Sequence, residues 1–395
     1  MSKPSGICRP GGRFIPYWPK LYLFALWVVL LQPEAAFNFL LFLPGALFPL
    51  QFTGAQNLFY LWSGWAYFSA LFSPGFPSSL VTFGLEMIVV TAGFYAGLYA
   101  RQDRRWVWIF FAAGLLTAGL SLVQAAAAPP YPPGWVSPAE RAFLPFRVAG
   151  LWPNPNRTGL FLAFLFPILV AFSETEGALG CRVFSRGALL FFIVPALLFT
   201  YSRTAWAAAL VSLVFYWWPR QKRKIGRLLG AGLFVAGFFP SVAGRLGPDP
   251  FHSGTMLYRY RIWQETWRVV QNYPWTGGGG SLLRNMLRPL AAEHAHNQWL
   301  QLAAEKGLPA AVIFTVIAAW IFRAPGCPGD RGADCPLRRG VQSALLGRLL
   351  AGFAESLWVV PLDLFLFWFG LAFVTAGGKA TAGGEGRVPL QDGGS

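Results

Sequence analysis

Long apolar runs recur along nearly the whole chain, and they constrain its fold more than any other feature. A run of about 20 apolar residues can cross a bilayer as a helix. Charged residues make up only 12% of the chain, which is about half of their usual share in a soluble domain. We therefore predict an all-α polytopic membrane protein in which residues 1–395 form a single integral membrane domain surrounded by membrane lipids.

The apolar runs predict about twelve transmembrane helices, although several are shorter than a full span. The Gly-rich end of the chain, residues 377–395, is predicted to be a disordered tail. The predicted spans are Leu21–Leu31, Phe37–Leu50, Leu58–Phe72, Leu80–Ala100, Trp106–Gln124, Thr158–Phe172, Ala188–Tyr201, Ala205–Trp218, Ile225–Pro240, Asn297–Phe322, Val341–Val359 and Pro361–Thr375.

The basic residues indicate how these spans are oriented. The chain carries a net charge of +16, and with a cytoplasmic N-terminus about two thirds of its Lys and Arg lie in cytoplasmic segments, as the positive-inside rule requires. Both termini are therefore predicted to be cytoplasmic, and the charge indicates topology rather than a nucleic-acid partner. The four cysteines also fall in cytoplasmic segments, where reduced thiols are expected: Cys8, Cys181, Cys327 and Cys335.

One outward-facing loop, residues 241–296, concentrates the polar chemistry of the chain. It contains all three histidines, His252, His294 and His296, together with several arginines, and it is flanked by apolar runs. Orientation does not explain arginines on the outer face. We interpret this segment as a catalytic loop at the membrane surface.

Within this loop, apolar side chains at helical spacing predict an amphipathic helix lying against the membrane and stopped by Pro274. Arg261 shares the opposite face with Glu265 and Arg268 and could simply form an i,i+4 pair with Glu265. Alternatively, Arg259 and Arg261 could bind a diphosphate, because guanidinium groups suit bidentate phosphate contacts. The apolar positions are Leu257, Tyr260, Trp263, Trp267 and Val270.

Two further residues could take part in chemistry. Arg203 lies at the outer end of a tight hairpin, where it either reaches the lipid headgroups or holds a lipid phosphate. His296 stands just before an apolar run, where it either caps a helix or accepts a proton from a hydroxyl nucleophile. Glu355 and Asp363 are functional candidates if they lie within the membrane, but their partners cannot be read from the sequence.

No metal site and no cofactor are predicted. The two histidines of the sequence His294-Ala295-His296 do not have the spacing of H-E-x-x-H, which makes a zinc protease an unsuitable interpretation. The acidic residues near the outer ends of the spans include no Asp-x-Asp pair.

Four stretches, taken together and in order, resemble the O-antigen ligase family, within the ligase and polymerase superfamily of bacterial surface glycan assembly. The resemblance covers roughly Gly150–Phe322. The stretches are GLWPNPNRTGLFLAF at Gly150–Phe164, YSRTAW at Tyr201–Trp206, YRIWQETWRVVQNYPWTGGG at Tyr260–Gly279, and HNQWLQLAAEKGLPAAVIF at His296–Phe314.

This resemblance implies a GT-C-type glycosyltransferase of the bacterial inner membrane. Such an enzyme moves a glycan from an undecaprenyl-diphosphate carrier to a hydroxyl of a lipid or glycan acceptor, such as lipid A–core, at the periplasmic face and without a metal. By position, His296 would be the catalytic base, and Arg203 and Arg261 would bind the diphosphate, with Arg259 beside them. Arg157, at a position that is commonly apolar in the family, would add a phosphate contact.

Two alternatives remain open at this point. A polymerase of the same superfamily would use the same chemistry to join repeat units. A solute transporter also suits about twelve spans, but a transporter should place its charges near the bilayer midplane. The clustering of polar residues in a surface loop favours the transferase.

Overall fold

The computed structural model describes residues 54–101, 103, 105–128, 132, 144, 146–175, 186–218, 223–227, 230, 254–323 and 334–375. These residues fold into helices joined by loops, and no strand occurs among them. The protein is therefore a helical membrane protein, as predicted. The predicted spans Leu21–Leu31 and Phe37–Leu50, most of Ile225–Pro240, and the tail at 377–395 lie outside the described residues.

The helices, in chain order, are α1 (Gly54–Phe72), α2 (Phe76–Ala100), α3 (Arg105–Ala127), α4 (Pro155–Thr175), α5 (Arg186–Phe199), α6 (Arg203–Trp217), α7 (Gly254–Asn272), α8 (Gly279–Leu287), α9 (Gln298–Lys306), α10 (Leu308–Arg323), α11 (Asp334–Ala351) and α12 (Pro361–Thr375). Helix α5 contains a π-helical turn at Leu189–Ile193. Short 3₁₀ turns follow α8 and precede α12, at Arg288–Leu290 and Leu357–Val359.

Three of these helices, α2, α3 and α4, are long and apolar enough to cross a membrane. Helices α5, α10 and α12 are apolar but shorter. The predicted total of about twelve spans remains a prediction, as does the assignment of both termini to the cytoplasm.

The predicted span Asn297–Phe322 is broken into two helices at Gly307. This residue has φ +84°, which L-amino acids other than glycine rarely adopt, and a side chain here would collide with the carbonyl of Trp275. The Leu308 N–H donates to the Pro274 carbonyl at 2.8 Å, and the Gly278 N–H donates to the Ala304 carbonyl at 2.8 Å. The segment after α7 is thus bound against the break between α9 and α10.

The predicted span Val341–Val359 also differs from the structure, because α11 begins at Asp334 and ends at Ala351. In this first part of α11, Arg338 donates two hydrogen bonds to the Val374 carbonyl, at 3.0 and 2.7 Å. Cys335 at this end of α11 is in a disulfide whose partner lies outside the described residues. The expectation of a reduced thiol is therefore wrong at Cys335.

Close helix packing holds the bundle together. Helix α2 packs against α12 where Gly93 and Gly97 meet the backbone of Phe365 and Phe369, and small residues permit such close approach between membrane helices. Helix α11 packs between α4 and α6.

The loop between α11 and α12 is anchored in the core by Trp358. Its ring lies edge-on to Trp62 with 4.6 Å between ring centroids, and edge-on to Phe314 at 4.8 Å. The Trp358 N–H also donates to Gln298 Oε1 at 3.0 Å. These contacts fix the loop, residues 352–360, against the N-terminal end of α9, and they position the site described below.

Candidate active site

A single carboxylate, that of Glu355, joins three separate parts of the chain. Its Oε1 accepts hydrogen bonds from Arg259 Nη2 and from Asn156 Nδ2, both at 3.1 Å. Its Oε2 lies 3.2 Å from His296 Nδ1. Glu355 is 8% exposed, so all of these contacts are made largely away from solvent. The sequence indicated Glu355 as a candidate functional residue. It did not indicate the partners of Glu355, because each of them comes from a different helix or loop.

The carboxylate is held in its ionised form. Burial raises the pKa of Glu355, but the hydrogen bond from His296 and the electrostatic effect of His296 and Arg259 outweigh it and bring this pKa to about 2. Hydrogen bonds and nearby cations stabilise a carboxylate in this way. Glu355 is therefore suited to orient an imidazole and to stabilise its positive charge.

His296 has a left-handed backbone conformation, with φ +49°. This conformation costs a residue other than glycine about 1–2 kcal/mol, and it persists only where the surroundings enforce it. The next residue, Asn297, caps α9 by accepting a hydrogen bond from the Leu300 N–H at 3.0 Å. The turn thus places the His296 ring opposite Glu355 at the entrance to α9.

The second histidine of the pair, His294, lies beside the first. The two ring centroids are 4.2 Å apart, with an angle of 44° between the ring planes. The pKa of His294 is lowered to about 3. Burial is the largest cause, followed by the electrostatic effect of His296; Arg157 and Arg259 also lower this pKa, and Glu355 opposes them. His294 is therefore neutral at neutral pH, and Arg157 is close enough to influence its pKa.

Asn156 connects this cluster to the start of α4. Pro155 opens that helix, as is common at a first helical position, and Asn154 Oδ1 accepts from the Arg157 N–H at 3.0 Å. The Asn156 side chain uses both ends of its amide, donating to Glu355 and accepting from Arg147 Nη2 at 2.9 Å. The sequence Asn-Pro-Asn-Arg thus presents an amide and a cation to the same cluster.

Arg147 extends the connection to the hairpin that carries Arg203. It is buried, and its Nε donates to the Thr200 carbonyl at 2.9 Å. Tyr201 follows in a left-handed conformation with φ +49°, and Ser202 caps α6 by accepting a hydrogen bond from the Ala205 N–H at 3.4 Å. Arg203, half-buried, is the first residue of α6.

Arg147 was not among the residues predicted from the sequence. Its only signal was its position as a basic residue on the outer side in the predicted topology, shortly before the Asn-Pro-Asn stretch. The hydrogen bonds through Arg147, Asn156 and Glu355 join the Arg203 hairpin to His296, so these two predicted residues belong to one connected region.

Two arginines of α7 have different surroundings. Arg259 points toward Glu355, with 16% of its side chain exposed, whereas Arg261 is exposed. Arg268 Nη1 donates to Glu265 Oε1 at 2.7 Å. Glu265 therefore pairs with Arg268, at i,i+3, and not with Arg261 as the simpler interpretation supposed.

The packed face of α7 consists of Ile262, Thr266, Val269 and Val270, all buried. Three of the apolar residues used to predict an amphipathic helix against the membrane, Leu257, Tyr260 and Trp267, lie on the exposed side of α7. Helix α7 thus has an apolar inner face against the protein and a separate exposed face that mixes aromatic side chains with Arg261 and Arg268.

A metal ion could in principle bind at this cluster. The ligand atoms of His294, His296 and Glu355 all lie within 4.8 Å of one another, and two histidines with one glutamate are a common zinc ligand set. However, Arg259 donates a hydrogen bond to the Glu355 carboxylate, and the charge of Arg157 lowers the pKa of His294. Cations this close to the ligand atoms repel a divalent ion. The electrostatics favour an anionic ligand.

Residues 188–315 match the family model described as O-antigen ligase. This segment runs from α5 into α10 and contains Arg203, Arg259, Arg261 and His296, while Glu355 lies beyond it. No curated protein matches the chain. The match at residues 188–315 therefore supports the O-antigen ligase family assignment that the sequence motifs indicated.

Proposed function

We propose that this protein is a membrane glycosyltransferase that moves a glycan from an undecaprenyl-diphosphate carrier to an acceptor hydroxyl at the periplasmic face of the inner membrane. The observation that carries the proposal is the pairing of His296 with the ionised Glu355, at 3.2 Å, beside Arg259. The match of residues 188–315 to the O-antigen ligase model supports a lipid-linked glycan as the donor.

His296 is the catalytic base in this proposal. With Nδ1 carrying the proton that is shared with Glu355, Nε2 has a free lone pair and can accept a proton. The acceptor O–H loses its proton to Nε2, and its oxygen forms a bond to the anomeric carbon of the glycan. Glu355 stabilises the imidazolium that results, as a buried carboxylate does beside a catalytic histidine.

Breakage of the bond between the anomeric carbon and the carrier oxygen releases undecaprenyl diphosphate, with inversion at that carbon. The leaving group gains negative charge, which preorganised cations can stabilise. We assign this role to Arg203, Arg261 and Arg157. Arg259 already donates to Glu355 through Nη2, and its remaining N–H groups make it a further diphosphate ligand.

The acceptor distinguishes a ligase from a polymerase. A ligase transfers to a different molecule such as lipid A–core, and a polymerase transfers to the next lipid-linked repeat unit. Purified protein in lipid nanodiscs is incubated with undecaprenyl-diphosphate glycan and each acceptor separately, and the products are identified by mass spectrometry. We expect a glycosylated lipid A–core, whereas elongated lipid-linked glycan alone would identify a polymerase.

Arg261→Ala tests the diphosphate role against a matched control on the same helix face. Arg261 and Arg268 are both exposed on α7, but only Arg261 is assigned to the donor. Arg261→Ala should abolish measurable transfer while the protein inserts normally, and Arg268→Ala should transfer at the normal rate. Equal rates for the two variants would remove Arg261 from the proposed mechanism.

A further inference from the structure

The turn that carries His296 is held by side chains on both of its flanks. The Ala295 N–H donates to Gln301 Oε1 at 2.7 Å, and the Ala295 carbonyl accepts from Trp263 Nε1 at 2.9 Å. On the other flank, the Asn297 N–H donates to Ser356 Oγ at 3.2 Å. These contacts enclose the left-handed His296, whose conformation is unfavourable on its own.

Gln301 is the junction of these contacts. Besides accepting from Ala295, its Oε1 accepts from Ser356 Oγ at 3.3 Å, and its Nε2 donates to Glu305 Oε1 at 2.6 Å. Gln301 is 2% exposed, so water cannot replace these partners at low cost. Its amide oxygen must therefore face the His296 turn while its nitrogen faces Glu305.

The Ala295 N–H fixes the direction of that amide, because a backbone N–H can only donate. The oxygen of Gln301 must therefore face Ala295, and its nitrogen faces Glu305. Glu305 lies beside Lys306, which pairs with Glu86 of α2 at 2.9 Å. Gly280 at the start of α8 lies over the Glu305 carboxylate and leaves room for it.

We propose that Gln301 is a positioning residue for the base: it sets the backbone of the His296 turn so that Nδ1 meets Glu355. The inference rests on the proposed function, since His296 matters for transfer only if it is the base. Gln301 acts on His296 through the Ala295 N–H and through Ser356, the residue that follows Glu355. The Glu305 carboxylate therefore influences the active site from one turn of α9 away.

A reciprocal exchange of the two side chains tests this relation. In Gln301→Glu, two carboxylates face each other across the 2.6 Å contact, and their repulsion should displace the turn. A small misplacement of catalytic groups can lower the rate about 100-fold, and we expect a loss of kcat of this size with the KM for the lipid-linked donor unchanged. In Glu305→Gln, the new amide can turn its oxygen toward Gln301, so the rate should stay within about threefold.

The double variant Gln301→Glu with Glu305→Gln should recover most of the lost rate. The carboxylate at position 301 can accept from Ala295 and Ser356 and also from the amide at position 305, and the net charge of the pair is unchanged. A purely structural role of the pair predicts additive losses, whereas direct coupling predicts recovery. A double variant that folds normally but stays as slow as Gln301→Glu would overturn the proposal.

Hydrogen exchange provides a readout that does not depend on glycan transfer. Peptides covering residues 293–300 are followed by mass spectrometry in wild type, Gln301→Glu and Gln301→Leu. Both single variants should speed exchange at the Ala295 amide. Gln301→Leu removes the amide but adds no charge and is of similar size, so it tests the proposal if the charged variant misfolds. Unchanged exchange in Gln301→Leu would contradict the proposal even if the protein proved not to be a glycosyltransferase.

Discussion

His296 Nδ1 and Glu355 Oε2 lie 3.2 Å apart, although 59 residues separate them along the chain. The Glu355 carboxylate is ionised and also accepts a hydrogen bond from Arg259. The turn that brings the His296 imidazole to it is held by Trp263, Gln301 and Ser356. A base oriented by a carboxylate in a buried setting is an arrangement suited to deprotonating a hydroxyl.

Glu355→Gln should lower the rate of glycan transfer about 10- to 100-fold. The amide keeps the size of the side chain but removes the negative charge that stabilises a protonated His296. The measurement is the initial rate with a defined lipid-linked donor. Glu293→Gln serves as the control, because Glu293 is an exposed acidic residue close to the same turn; equal rates for the two variants would exclude Glu355 from catalysis.

Arg259→Ala should lower both transfer and stability. Loss of Arg259 leaves the buried Glu355 carboxylate with Asn156 and His296 only; complete loss of the partner of a buried charge costs about 3 kcal/mol, which sets the upper limit here. The pair Arg268–Glu265 is largely exposed, with 65% of the Arg268 side chain accessible, and such pairs contribute about 1 kcal/mol at most. Thermal unfolding in detergent should therefore shift clearly for Arg259→Ala and little for Arg268→Ala, and the reverse order would be inconsistent with the structure.

His294 should make the protein sensitive to acid. Its pKa is lowered from 6.5 to about 3 in the folded state, so between these values the unfolded chain binds a proton that the folded protein does not. The contribution of His294 to the free energy of unfolding is fully present above pH 6.5 and is lost as the pH falls toward 3. The free energy of unfolding changes by up to about 1.4 kcal/mol per pH unit in this range. His294→Gln should flatten the decline of the unfolding temperature between pH 6.5 and pH 4; a decline as steep as in wild type would argue against a neutral His294.

Transfer should not require a divalent metal. The cations around Glu355 and His294 disfavour a second positive charge, and the diphosphate charge is assigned to arginines. Activity after treatment with EDTA should equal that of untreated protein. Loss of transfer that is restored by adding Zn²⁺ or Mg²⁺ would instead assign His294, His296 and Glu355 to a metal.

The sequence indicated candidate site residues but not the contacts that they make. His296 was singled out because it precedes an apolar run, and helical periodicity predicted α7. Periodicity did not reveal that Arg259, rather than Arg261, turns toward Glu355, because Ile262, Thr266, Val269 and Val270 set the packed face. The face that a helix buries depends on the surface it meets, and that surface comes from elsewhere in the chain.

Hydropathy gave the positions of most described helices but not the breaks that create the site. Pro361–Thr375 was predicted with its observed bounds. The end of α11 at Ala351 was missed because apolar residues continue on both sides of Glu355 and Ser356, and the sequence does not reveal the tertiary contacts of Trp358. The break at Gly307 was missed for the same reason: a single glycine inside an apolar run does not by itself predict a docked loop.

The most direct test of the proposed mechanism is the single-turnover rate of glycan transfer by His296→Ala in lipid nanodiscs, measured beside wild type with saturating lipid-linked donor and acceptor. General-base catalysis contributes about 10²–10⁴-fold, so the variant should lose at least 100-fold in rate while it still binds the donor. Transfer by His296→Ala within a few-fold of wild type would contradict the assignment of His296 as the base.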